Sequence, residues 1–188
     1  MHLSAVVIGH SSSSFVGGKG WDEAVVQNIS GILGPQVIAT TNGLDCLAAL
    51  SASGIRRPFL VLPPWFNDQT VEAGLGYYRD RGIELAGHLC YDPGQKWGDL
   101  SPGDLYRHGM GAEQEVKPLY AQISASCPAA ADGVLIAGTG FRCVAILDAL
   151  ETDLKRPVIS ANQASLWNCL RLSGVYSKIT GYGNLLKI

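Results

Sequence analysis

The chain repeats itself, and that repeat limits the folds open to it more than any other feature. Val7-Ile8-Gly9-His10-Ser11 is an apolar run entering a polar turn and then a helical segment, and Leu135-Ile136-Ala137-Gly138-Thr139 does the same. After each comes a further strand and helix. Val37 to Gly54 closes on Leu-x-Ala-x-Gly-Ile, and Val158 to Gly174 on Leu-x-Leu-x-Gly-Val. The copies lie about 120 to 130 residues apart. Duplication on this scale predicts two related lobes facing each other across a pseudo-twofold axis. His10 and Gly138 then oppose one another across a cleft. Both polar turns fall at the carboxyl ends of strands, where open α/β sheets bind ligands.

Short apolar runs alternate with segments of helical period throughout, the pattern of a parallel α/β fold. The expected strands are Ala5 to Ile8, Val37 to Ala39, Phe59 to Leu62, Leu85 to His88, Val134 to Ile136 and Val158 to Ser160. Trp21, Val25, Ile29 and Ile32 form one helical stripe, Val71, Leu75 and Tyr78 a second, and Cys143, Leu147, Leu150 and Leu154 a third. Asn42 and Asn67 are placed as N-caps, with Gly54, Gly82 and Gly174 as helix stops. Tyr91 to Gly111, rich in Gly, Pro and Asp, reads as a surface loop able to border a site.

The 188 residues suit one compact domain or two small lobes sharing a core, and 47% hydrophobic residues suffice for a normal interior. A formal net charge of −2 with no basic run argues against nucleic acid or an anionic membrane as partner. No apolar stretch is long enough to span a bilayer, and Met1-His2-Leu3-Ser4 lacks a basic leader region, which reads as cytoplasmic. Five cysteines without a C-x-x-C pair are poor material for disulfides or a zinc site, so free thiols are expected. No pair of histidines has metal-ligand spacing, and Gly17-Gly18-Lys19-Gly20 matches neither dinucleotide nor phosphate-loop patterns. No metal or other cofactor is indicated.

Ser11 to Ser14, directly after His10, place hydroxyls and backbone N–H groups at a strand-to-helix turn, the makings of an anion site. Thr139-Gly140 offers the same chemistry in the second copy, so a small dicarboxylate could be held by one carboxylate per lobe. The plainer alternative is that the serines cap a helix. His10 points toward the expected cleft, and an imidazole can give or take a proton near neutral pH. A structural histidine bonded to its own turn is the competing reading. His88, as a strand residue, and His108, in the irregular stretch, have weaker claims. Trp65, after Pro63-Pro64 at a strand end, is placed to wall the pocket; packing at a lobe boundary would explain it equally. Trp167, between Leu166 and Leu170, reads as core.

Gly138-Thr139-Gly140-Phe141-Arg142, Leu147-Asp148-Ala149-Leu150-Glu151, Pro157 to Ala164, and Trp167 with Leu170 to Gly174 resemble the maleate isomerase family. Gly181-Tyr182-Gly183-Asn184-Leu185 resembles the closing segment of arylmalonate decarboxylases, in the same branch of the aspartate/glutamate racemase superfamily. The first half agrees more loosely, with Pro64-Trp65 where the family usually has Pro-Tyr. The resemblance implies two flavodoxin-like parallel-sheet lobes related by pseudo-twofold symmetry. We expect residues 1–55 with 175–188 in the first lobe and 56–174 in the second. It also implies a pair of catalytic cysteines, but those positions fall on His10 and Gly138. The resemblance also implies an earlier first strand with a substrate-contacting Ser/Asn turn, and this element is expected to be missing here.

The expected function is a cofactor-independent isomerase or decarboxylase moving a proton at the α-carbon of a small malonate- or maleate-type carboxylic acid. His10 would be the acid or base. Ser11, Ser12, Trp65, Gly138, Thr139 and Gly140 would bind substrate. The alternative is a non-catalytic carboxylate-binding homologue or partner subunit that has lost the cysteine pair. A homo-oligomer is left open.

Overall fold

A computed structural model describes residues 3–188; Met1 and His2, part of the stretch read for a leader, lie outside the described residues. The chain opens with strand β1 (Ala5–Ile8), helices α1 (Ser11–Gly17) and α2 (Trp21–Leu33), strand β2 (Ile38–Thr41) and helix α3 (Asn42–Ala52). Strand β3 (Pro58–Leu62), helix α4 (Asp68–Arg79) and strand β4 (Gly87–Cys90) follow. Three helices come next, α5 (Pro102–Arg107), α6 (Met110–Glu113) and α7 (Val116–Ser126). Strand β5 (Gly133–Ile136), helix α8 (Leu147–Leu154), strand β6 (Val158–Ser160) and helix α9 (Ala161–Leu172) complete the second copy.

The strands form two parallel sheets: a two-stranded one, β1-β2, and a four-stranded one in the order β4-β3-β5-β6. The central strands β3 and β5 are buried along their whole length, as expected for a parallel sheet covered on both faces. Alternation then divides the interior in two. Leu60, Leu135 and Ile159, aligned across β3, β5 and β6, face a core shared with Phe15, Leu50 and Tyr78. Phe59, Val61, Val134 and Ile136 face the opposite core with Leu119, Phe141 and Leu147. Leu50, Leu60 and Leu135 are fully buried, and each such side chain contributes roughly 1.5–3 kcal/mol.

The helices that follow the second strand of each copy, α3 and α9, pack along one another, as a pseudo-twofold relation requires. Each starts from a capped strand end. Thr41 accepts from the Leu44 N–H, and Ser160 forms a capping box with Gln163. Asn67 caps α4 as expected, accepting from the Thr70 N–H. Asn42 does not cap; it is the first residue of α3, and its side chain is used elsewhere. Gly54, Gly82 and Gly174 follow α3, α4 and α9 with positive φ, as helix stops should.

Other expectations need correction. Tyr91 to Gly111 is not a plain loop, because it folds into a short 3₁₀ turn and α5, which buries Leu105 and leads to the buried Met110 of α6. Ser101 caps α5 and Pro102 occupies its first turn, signals that the Gly and Pro content masked. Cys143 lies ahead of α8, at the start of a 3₁₀ turn, although it is buried beside Leu147. The expected α2 stripe is only half-buried, and Ile32 is 82% exposed. The buried residue of α2 is Asp22, which accepts from Ser14 Oγ, Thr41 Oγ1, Tyr77 OH and Arg81 Nη2 at 2.6–3.2 Å. That carboxylate ties α1, β2 and α4 to α2.

Candidate active site

All seven residues singled out in the sequence line one cavity of about 380 Å³. It lies at the carboxyl ends of β1 and β5, between the two sheets. His10, Ser11 and Ser12 come from the first copy; Gly138, Thr139 and Gly140 from the second. Trp65 stands at the end of β3 and forms the aromatic wall. Its ring meets Phe141 at 5.6 Å, nearly edge-on, and Tyr106 at 6.2 Å.

His10 occupies the N-cap position of α1 but makes no capping hydrogen bond. Its Nδ1 instead lies 2.9 Å from Ser13 Oγ and 3.1 Å from Ser12 Oγ. The serines therefore do not cap the helix; they hold the imidazole. Nε2 makes no hydrogen bond among the described residues, and the residue is exposed to the cavity and solvent.

Two of the expected hydroxyl ligands are committed to the chain itself. Ser11 Oγ donates to Asn42 Oδ1 at 2.5 Å and accepts from the Gly138 N–H at 3.1 Å. Thr139 Oγ1 donates to the Gly9 carbonyl at 2.8 Å. Both bonds sew the first turn to the second. The Ser12 hydroxyl is shared with His10 Nδ1 and the Ser13 N–H donates to the His10 carbonyl, so the groups left for a ligand are the N–H groups of Ser11, Ser12, Thr139 and Gly140. These N–H groups have no partner among the described residues.

Gly138 has φ +94, and a Cβ built there would lie 2.8 Å from Pro63 Cγ. A side chain at this position strains the backbone and collides with the ring. Gly140 is different, since a Cβ there would meet only Trp65, at 3.5 Å.

The sequence did not reveal Arg107, Tyr106 and Thr70, which also line the cavity. Arg107 is the one cation among these lining residues, and no acidic side chain lines the cavity. Its guanidinium pairs with Asp104 at 3.1 Å on the exposed rim. The available signal was Ser101-Pro102 opening a helix, which would have placed residues 103, 106 and 107 on one side. Thr70 Oγ1 is taken by Asn67.

His88, read as a strand residue, lies exposed on the edge strand β4, and His108 ends α5; neither lines the cavity. All five cysteines are free. Burial pushes the Cys46 and Cys143 thiols up to about 12. Cys143 lines a second cavity, of about 580 Å³, on the far side of the Thr139-Gly140 turn. That larger space is walled mainly by apolar groups such as Leu166, Ile179 and Leu186, and its Arg142 donates to the Ala112 carbonyl. The smaller cavity has an imidazole and a guanidinium on its lining, so it is the better candidate. Among the described residues no cluster of three or more His, Cys, Asp or Glu side chains could hold a metal ion, and no helix is long and apolar enough to cross a membrane.

No curated protein matches the chain significantly. Residues 104–186 match the arylmalonate decarboxylase family. Among solved structures, unliganded arylmalonate decarboxylase is 22% identical, covering 97% of this chain and 74% of its own, with a TM-score of 0.81. A Pseudomonas putida maleate isomerase variant with maleate is 20% identical over 98% of this chain and 70% of its own, with a TM-score of 0.82. A Nocardia farcinica maleate cis-trans isomerase variant with a covalently bound succinylcysteine intermediate is 16% identical over 98% and 71%, again at 0.82. Residues 104–186 thus carry the arylmalonate decarboxylase pattern, and the chain as a whole has the fold which that enzyme shares with the maleate isomerases.

Proposed function

We propose that the chain moves a proton at the α-carbon of a small malonate- or maleate-type carboxylic acid, as a decarboxylase or isomerase. The observation that carries this reading is the cavity's composition: one histidine, one arginine, unpaired N–H groups and no carboxylate. A small organic anion is the ligand class such a lining favours, because N–H donors and a cation with no carboxylate among them stabilise negative charge.

For a malonate, Ser12, the Thr139 and Gly140 N–H groups and Arg107 hold the retained carboxylate. Trp65 and Tyr106 take the apolar substituent. When the bond to the other carboxylate breaks, CO₂ leaves and the electron pair passes into the retained carboxylate as an enediolate. His10 Nε2 then delivers a proton to the α-carbon, and the exposed ring is reprotonated from solvent. The electron pair never leaves the substrate, so the scheme needs no cofactor. The Nocardia farcinica relative carries a covalent cysteine adduct. With His10 and Gly138 at the positions that the resemblance gives to the thiols, this chain would act by proton transfer without a covalent adduct.

The test is solvent deuterium incorporation at the α-carbon of malonate and methylmalonate, followed by NMR together with CO₂ release. Exchange or decarboxylation that falls on His10→Ala supports the reading. Binding of these acids with neither exchange nor decarboxylation would favour a carboxylate-binding homologue instead.

A further inference from the structure

Ser11 Oγ is the visible end of a buried chain of hydrogen bonds that crosses from α1 to α3 and α9. Asn42 Oδ1 accepts from Ser11, and Asn42 Nδ2 donates to the Ala161 carbonyl and to Ser165 Oγ, both at 2.9 Å. Ser165 Oγ donates to Asp45 Oδ2 at 2.7 Å. Asp45 Oδ1 accepts from Thr40 Oγ1 and Asn168 Nδ2, each at 2.7 Å. Ser11, Asn42, Asp45 and Ser165 are all buried, Asn42 and Asp45 completely.

The direction of this chain follows from counting protons. Thr40, Asn168 and Ser165 converge on the Asp45 carboxyl oxygens as donors, so the single hydroxyl proton of Ser165 points to Asp45. Ser165 then offers only a lone pair to Asn42. The Ala161 carbonyl also only accepts, so the Asn42 amide nitrogen faces both groups and its oxygen faces Ser11. The Ser11 proton is drawn to that oxygen, which leaves a Ser11 lone pair for the Gly138 N–H. Each step has one solution. The fixed end is Gly138, the glycine whose unusual backbone begins the Thr139-Gly140 turn.

We propose that Asp45 is a positioning residue for this site: through Ser165 and Asn42 it fixes the Ser11 hydroxyl as acceptor of the Gly138 N–H. It thereby sets the turn that presents the Thr139 and Gly140 N–H groups. Asp45 touches nothing in the cavity and acts only through the chain. The inference rests on the anion-binding reading of that turn, but its signature can be read without ligand or turnover.

The experiment is amide hydrogen exchange and ¹⁵N NMR on the full chain, comparing wild type with Asp45→Ala, Ser165→Ala and Ser165→Thr. In wild type the Gly138 amide should be protected. Ser165→Ala should speed Gly138 exchange at least tenfold and move its proton resonance, while the β5 amides of Leu135 and Ile136 stay protected. Ser165→Thr keeps the hydroxyl and should restore the wild-type Gly138 signal. Malonate affinity should follow the same order. If Asp45→Ala does not fold, the two Ser165 variants decide alone. Unchanged Gly138 protection in Ser165→Ala would overturn the proposal. So would a uniform loss of protection across β5 and Gly138 together, which marks a merely structural role.

Discussion

The two copies of the strand–turn–helix unit share a sequence pattern and do different work. In the first, β1 is half-buried in a two-stranded sheet, and α1 begins three residues after it, at Ser11. In the second, β5 is fully buried in a four-stranded sheet, and Gly138 to Cys143 stay extended or turned before the 3₁₀ turn and α8. The first turn contributes side chains, an imidazole and a hydroxyl. The second contributes backbone, because a glycine with positive φ packed on Pro63 leaves no space for anything larger. On the proposed function, the duplicated fold divides proton transfer and anion binding between its halves, and equivalence of position does not carry over to equivalence of chemistry.

The largest expected effect tests the first turn. His10→Ala should lower turnover about 10²- to 10⁴-fold, the range for a lost general acid or base, with ligand affinity little changed. A fall of less than about threefold would make His10 structural and remove the asymmetry.

Next comes a contrast within the second turn. Gly138→Ala should cost about 1–3 kcal/mol in chemical denaturation, since it forces a side chain into a disfavoured backbone region against Pro63. Gly140→Ala, with room beside Trp65, should cost well under half as much. The same strain opposes Gly138→Cys, so placing at this backbone the thiol that the resemblance implies should destabilise the fold before any decarboxylase activity could be gained. Equal stabilities for Gly138→Ala and Gly140→Ala would show that the turn is not built on its first glycine.

A smaller effect belongs to the rim. Arg107→Gln should weaken malonate binding roughly two- to fivefold at low salt, as an exposed charge contributes about 0.2–1 kcal/mol. The difference should shrink as salt is added.

The smallest expected effect concerns the thiols. With Cys143 pushed up to about 12 by burial, only roughly one molecule in ten thousand carries its thiolate at pH 8. A reagent should therefore modify the exposed Cys90 while leaving Cys143 untouched and turnover unaltered. The sign follows from the shift. A thiol donating the proton in place of the imidazole would lose that role as it charged near pH 12, so turnover that persists at alkaline pH and falls only as that range is reached would point to Cys143.

Much of this was legible from residue order. The repeat located both turns, and His10, Trp65 and Gly138 to Gly140 do line one cavity. What periodicity could not give is the partner of a polar side chain. Ser11 and Ser12 are neighbours in sequence, yet one hydroxyl faces Asn42, 31 residues away, and the other faces His10. Asn42 has the composition of a cap, but Thr41, one residue earlier, took that position and freed the amide for α9. Arg107 was hidden because Gly and Pro in residues 91–111 were read as loop, although Pro102 stands in the first turn of a helix. Local preference reports which structures a residue tolerates; long-range hydrogen bonds decide which of its atoms remain free.

The stitches between the turns, Ser11 to Gly138 and Thr139 to Gly9, have a thermal consequence. The cavity exists only while the two halves are joined, so a ligand that fits it binds the folded chain and not the unfolded one. Mass action then adds roughly 2.7 kcal/mol at a ligand concentration one hundred times Kd. For a chain of this size that corresponds to a rise of roughly 5–10 °C in the melting midpoint. Scanning calorimetry against a panel of small acids can therefore rank candidate substrates by heat alone, before any reaction has been observed.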